Sequence, residues 1–156
     1  MKVKTVVDED FSNYKKPAML IGTTRCTMKC GAELCQNHPL LKEPDVNILN
    51  KDIVERYLDN KLTSAVIFAG LDPFDTWDDL WHCICEIRRY CTDDIVIYTG
   101  YTEEEVYERG YIIRNLKQFP NIIIKFGRYI PGQKPHYDEV LGVKLASDNQ
   151  YAKRIS

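Results

Sequence analysis

Long apolar runs are missing from this chain. No stretch approaches the roughly 20 consecutive apolar residues that a membrane-spanning helix needs. The amino-terminal MKVKTVVDEDFSNYKK has lysines but no apolar core of signal-peptide length ahead of its acidic cluster. An excess of one charge is missing too: 21 lysines and arginines face 23 aspartates and glutamates, for a formal charge of −2. A near-neutral chain offers no basic face to displace counterions from nucleic acid or an anionic membrane, so a small molecule or a protein is the expected partner. Histidine is scarce, at three residues, and His82 and His136 read as ordinary helix and loop residues rather than acid-base groups. Eight glycines and seven prolines are scattered rather than clustered, which argues against a linker, a low-complexity tract or a repeat. These absences lead to the expectation of a soluble, cytoplasmic protein.

What is present is enough for one core. A chain of 156 residues, 44% of them hydrophobic, is long enough for a single domain and too short for two ordinary ones. Residues 17–24, 64–70, 94–100 and 121–126 are short apolar runs with strand character, the second and third ending on glycine. Between them, residues 47–62 carry Ile53, Val54, Tyr57 and Leu58 at helical spacing after an Asn50 suited to cap them. Residues 75–90 form an amphipathic pattern with Asp75, Asp78 and Asp79 in the first turn. Thr102 and Glu105 make a capping box that opens a third helix over residues 102–119. Strands too uniformly apolar to have a wet face, alternating with helices, predict an α/β fold with a mainly parallel sheet. Right-handed crossovers then bring the loop after each strand to one rim, where ligands collect. The expected layout is one domain over residues 1–156, with an amino-terminal extension (1–15) and a turn-rich carboxy-terminal segment (127–156).

The loop after the first of these strands is CTMKCGAELC, with Cys26, Cys30 and Cys35 within ten positions. In a reducing compartment, cysteines signal metal or catalysis before disulfides. A closed zinc site needs four ligands, usually from paired C-x-x-C units or histidines, and here the spacing is C-x3-C-x4-C with only His38 nearby. An iron-sulfur cluster accommodates this spacing better, because thiolates from one loop wrap a cubane and three of them leave one iron open. Three buried thiols are the plainer alternative, at odds with neighbours such as Arg25, Lys29 and Glu33. Cys83 and Cys85 lie two apart in a helix, point to different sides and cannot chelate together; Cys91 stands at that helix's end.

A three-cysteine loop after the first strand of a β/α protein resembles the radical S-adenosylmethionine (SAM) superfamily, whose usual loop is C-x3-C-x2-C. Further stretches are similar to the activating enzymes of glycyl-radical proteins, in particular those of anaerobic ribonucleotide reductase. Cys35-Gln36-Asn37 resembles their C-x-N, and Asp10-Phe11-Ser12-Asn13 their D-F-x-N. Tyr98-Thr99-Gly100-Tyr101-Thr102 resembles W-T-G-Y-T, and Ser147-Asp148-Asn149-Gln150 resembles S-x-N-Q. The chain departs from the pattern in four places. Its third cysteine comes one residue late, Leu34 replaces an aromatic residue, Leu71 replaces a glycine, and Phe126 replaces the aspartate of V-D-G-R-F.

The resemblance implies an incomplete, open β/α barrel, since a closed eight-unit barrel takes roughly 250 residues. It implies a 4Fe-4S cluster ligated by Cys26, Cys30 and Cys35, and SAM held by Asn37, Gly70, Asp72, Thr99 and Asn149. The implied activity is reductive cleavage of SAM to a 5'-deoxyadenosyl radical that generates a glycyl radical on a partner reductase. Flavodoxin or ferredoxin is the implied electron donor. Radical SAM chemistry on a peptide or small molecule, and a non-catalytic iron-sulfur or zinc protein, are the alternatives.

Overall fold

The computed structural model describes residues 1–156. In chain order its elements are β1 (Lys2–Val3), β2 (Thr5–Asp10), β3 (Ala18–Thr23), β4 (Val46–Asn47), α1 (Asn50–Asp59), β5 (Ala65–Gly70) and α2 (Trp77–Arg88). They continue with β6 (Asp94–Tyr98), α3 (Glu103–Glu108), α4 (Gly110–Leu116), β7 (Ile122–Phe126), β8 (His136–Asp138), β9 (Val143–Leu145) and β10 (Tyr151–Arg154). The four apolar runs pair in parallel as β3, β5, β6 and β7. The full sheet has six strands in the order β10-β7-β6-β5-β3-β2, with β2 and β10 as antiparallel edges.

Alternation along the strands explains why both faces are dry. Met19, Ile21, Val66, Phe68, Ile95, Ile97, Ile122, Ile124 and Phe126 point to the side covered by the helices, where Ile53, Val54, Leu80, Ile84, Ile87 and Leu116 meet them. Each such side chain, fully buried, contributes about 1.5–3 kcal/mol. The intervening residues Ala18, Ala65, Ile67, Val96 and Ile123 face a smaller cluster closed by Tyr14, Leu141, Leu145 and Ala152. On that second face the cover comes from irregular segments and the β8–β9 hairpin, not from helices.

Several local expectations change. The helix expected over residues 102–119 is two helices, broken at Arg109, whose ψ of 57° leaves the helical region just before Gly110. Its opening is as read: Thr102 and Glu105 form a complete capping box. Asn50 does not cap α1. Leu49 holds the cap position without a side-chain bond, and the Asn50 Oδ1 instead accepts from the Met1 ammonium at 2.8 Å. The amino-terminal extension contributes the edge strand β2, and the carboxy-terminal segment contributes three short strands.

Candidate functional site

The loops after β3, β5, β6 and β7 open on one cavity of about 420 Å³ at the carboxyl end of the parallel strands. Cys26, Cys30 and Cys35 line it together with Asn37, Gly70, Asp72, Thr99, Gly100, Lys125 and Arg128. All of the residues singled out from the sequence reach this space except Asn149.

The cysteine loop owes its shape to two left-handed residues, Met28 (φ 54°) and Gly31 (φ 87°). The extra residue between Cys30 and Cys35 is taken up by a 3₁₀ turn over Ala32–Leu34, opened by Gly31 and closed by the Cys35 N–H donating to the Ala32 carbonyl at 3.3 Å. A tight turn rises faster per residue than an α-turn, so the loop lengthens and Cys35 still reaches the cavity wall. The loop is tethered on both flanks. Thr27 N–H donates to Asp75 Oδ2 at 2.8 Å, and Asn37 Nδ2 donates to the Gly70 carbonyl at 2.9 Å. Tyr101 supports it from below: its hydroxyl donates to Asp75 at 2.6 Å, and its ring carries Arg109 4.2 Å from the centroid and Lys29 at 5.2 Å.

All six cysteines are free thiols. Burial pushes the Cys26 thiol up, and burial together with the neighbouring Cys35 thiol does the same to Cys30. Thiols raised in this way become thiolates when a cation is there to receive them. No three histidine, cysteine, aspartate or glutamate side chains converge on a single ion position. A four-iron cluster asks something different of its donors, because each thiolate ligates its own iron at a separate corner. His38 does not line the cavity, and its Nδ1 lies 2.8 Å from the Ala32 carbonyl.

Beside the cysteines, Gly70 ends β5 at φ +88°, where an added Cβ would meet Leu40 Cδ1 at 3.3 Å and Gly22 Cα at 3.4 Å. That close approach lets the chain turn and place Asp72, which is buried, over the mouth of β6. The Asp72 carboxylate accepts from Gly100 N–H at 2.8 Å, Phe74 N–H at 3.1 Å and the Thr99 hydroxyl at 2.9 and 3.0 Å. The hydroxyl has one proton, so three donors serve a group with about four acceptor sites. One site faces the cavity free. Burial raises the Asp72 pKa to about 6 against the opposing pull of these bonds.

Asn149 is used elsewhere. Its Nδ2 donates to the Arg128 carbonyl at 2.9 Å and its Oδ1 accepts from Ser147 Oγ at 2.7 Å, which ties the carboxy-terminal segment to the strand-end loop. Its neighbour Gln150 lines the cavity instead. Phe126 points into the helical core and packs on Tyr151 with ring centroids 5.6 Å apart. Alternation therefore sends Lys125 to the cavity side. Sequence reasoning passed over Lys125, although a lone cation in the apolar run NIIIKF was the available signal. Burial lowers its pKa to about 8.

The family model described as 4Fe-4S single cluster domain matches residues 18–144, from the start of β3 into β9. The chain belongs to this 4Fe-4S single cluster domain family. It is an iron-sulfur protein, and the match spans the cysteine loop and all four parallel strands. No curated protein and no solved structure matches it. No helix of this 4Fe-4S single cluster domain is long and apolar enough to cross a membrane.

Proposed function

We propose that this protein is a radical SAM enzyme in which Cys26, Cys30 and Cys35 hold the 4Fe-4S cluster and the adjoining cavity holds SAM. The observation that carries the reading is that three thiols, with no fourth ligand beside them, share one cavity with Gly70, Asp72 and Thr99 at the ends of parallel strands. A cluster left one ligand short supplies one-electron reduction of SAM to methionine and a 5'-deoxyadenosyl radical.

The chain's own residues supply binding and orientation. The free acceptor site of Asp72 takes the ligand ammonium, and Thr99, Gly100 and Phe74 keep that carboxylate aimed while it is buried. Gly70 brings backbone close to the ligand, and Asn37 fixes the cysteine loop against it. Leu34, on the 3₁₀ turn and lining the cavity, offers an apolar contact where the resemblance has an aromatic one. Asn149 acts indirectly, by holding the Arg128 loop. The open six-stranded sheet is read as an arc of a β/α barrel, its unclosed side admitting a segment of a partner protein. A glycyl-radical reductase is the proposed partner and flavodoxin or ferredoxin the proposed electron donor, on the motif resemblance.

The test is anaerobic reconstitution with iron and sulfide, reduction, addition of SAM and quantification of 5'-deoxyadenosine. Formation of 5'-deoxyadenosine with a SAM-dependent change in the cluster's electron paramagnetic resonance signal is the expected result. An unchanged signal with no product refutes the reading. A glycine-centred radical on mixing with the reductase tests the partner.

A further inference from the structure

Lys125 is the one buried charge in the cavity that the protein leaves unanswered. It lies on β7 between two residues that face the helical core, and it is 6% exposed. Its Nζ donates a single hydrogen bond, to the Gly127 carbonyl at 2.7 Å. An ammonium has three donors, so two lack a protein acceptor. Lys125 takes part in none of the salt bridges, so no carboxylate lies within 4.0 Å of its Nζ. The Tyr98 ring, 6.0 Å from Nζ to centroid, stands at the outer limit of a cation–π contact. The other cation at this depth is committed elsewhere: Arg128 Nη2 meets both oxygens of Glu105, at 2.7 and 2.8 Å.

Burying an ammonium without a counter-charge is costly, and the cost persists only where something else offsets it. We propose that Lys125 Nζ is an anion subsite of this cavity and that it takes the carboxylate of a ligand with amino-acid character, whose ammonium end meets Asp72. Charge balance selects the class. Asp72 and Lys125 together are neutral, a zwitterion keeps the cavity neutral, and a phosphate dianion would leave it with excess negative charge in a desolvated space. Lys125 adds to the SAM reading a residue that none of the motifs assigns. The subsite rests on that reading only for the ligand's identity.

The experiment measures binding to oxidised, cluster-loaded protein, where no turnover occurs. Calorimetry compares S-adenosylhomocysteine, which carries the amino-acid group, with 5'-methylthioadenosine, which lacks it, in wild type and Lys125→Met. Thermal shifts compare glycine with inorganic phosphate at matched ionic strength. The wild type is expected to prefer S-adenosylhomocysteine by about tenfold or more, as a charge-assisted hydrogen bond allows. Lys125→Met is expected to erase the preference and leave 5'-methylthioadenosine binding unchanged. If S-adenosylhomocysteine keeps its full preference in Lys125→Met, the subsite is overturned while the SAM reading stands. If neither nucleoside binds but glycine stabilises the wild type and not the variant, the subsite stands and the SAM reading falls. Stabilisation by phosphate instead of glycine overturns the carboxylate assignment, and no difference between the two proteins in any arm overturns the proposal.

Discussion

Replacing Lys125 by methionine should make the ligand-free protein more stable, in a way that depends on pH. Burial lowers the Lys125 pKa from 10.5 to about 8. At about 1.4 kcal/mol per pH unit, folding at neutral pH carries a penalty of about 3 kcal/mol for keeping the ammonium charged. The variant gives up the bond to the Gly127 carbonyl, worth about 1 kcal/mol, but that carbonyl still accepts from Gln150 Nε2 at 3.3 Å. The net expectation at pH 7 is a gain of about 2 kcal/mol. The sign with pH follows from linkage. Between about 8 and 10.5 the unfolded chain holds the Lys125 proton and the folded chain does not, so this group's penalty is full below pH 8 and relieved as pH rises. Tyr57, Tyr98 and Cys83, whose pKa values burial raises, pull total stability down in the alkaline range. Only the difference between the two proteins isolates the lysine. Urea titrations from pH 7 to pH 10, followed by tryptophan fluorescence with both proteins in the same cluster state, should show the gain shrinking toward zero or below at the alkaline end. A variant less stable than wild type at pH 7, or a difference flat across the range, would refute the reasoning.

Three further perturbations test the site. Cys26→Ala, Cys30→Ala and Cys35→Ala should each abolish stable cluster binding, read as iron and sulfide per chain after anaerobic reconstitution, whereas Cys83→Ala and Cys91→Ala should retain it. Cys83→Ala should nonetheless cost roughly 1–2 kcal/mol in urea unfolding, because that thiol is completely buried and its loss leaves a cavity. Gly70→Ala forces a Cβ onto a residue at φ +88° and against Leu40, so a loss of about 1–2 kcal/mol and a lower Tm are expected. Thr99→Val removes one of three donors to the buried Asp72 carboxylate; a loss of about 1–3 kcal/mol and weaker S-adenosylhomocysteine binding by calorimetry should follow.

Local chemistry was legible in advance. The four strands announced themselves because each is apolar on both faces, and the capping box at Thr102 and Glu105 is a bond pattern between residues three apart. The edge strands were harder. β2 (TVVDED) and β10 (YAKR) are short and half polar, and become strands because β3 and β7 offer unpaired edges. The break at Arg109 had a local signal in Gly110, but apolar spacing continued through it into Ile112, Ile113 and Leu116. Asn50 looked like a cap from its neighbours, yet its side chain answers the ammonium of Met1, a partner no local pattern contains.

By its sequence alone this chain determined an alternating α/β order, a loop rich in cysteine, and an acidic turn after the second parallel strand, since each depends on residue type and short spacing. Only the tertiary structure decided what those pieces face. Pleating directs Phe126 to the helices and Lys125 to the cavity, while the carboxy-terminal segment consumes Asn149 in its own hydrogen bonds and presents Gln150. The 3₁₀ turn at Ala32–Leu34 brings Cys35 back to the same wall as Cys26 and Cys30. The physical reason is one of range. Propensity and capping act within a few residues, whereas burial, charge balance and the exit of each loop are set by strands that meet only after the sheet has formed.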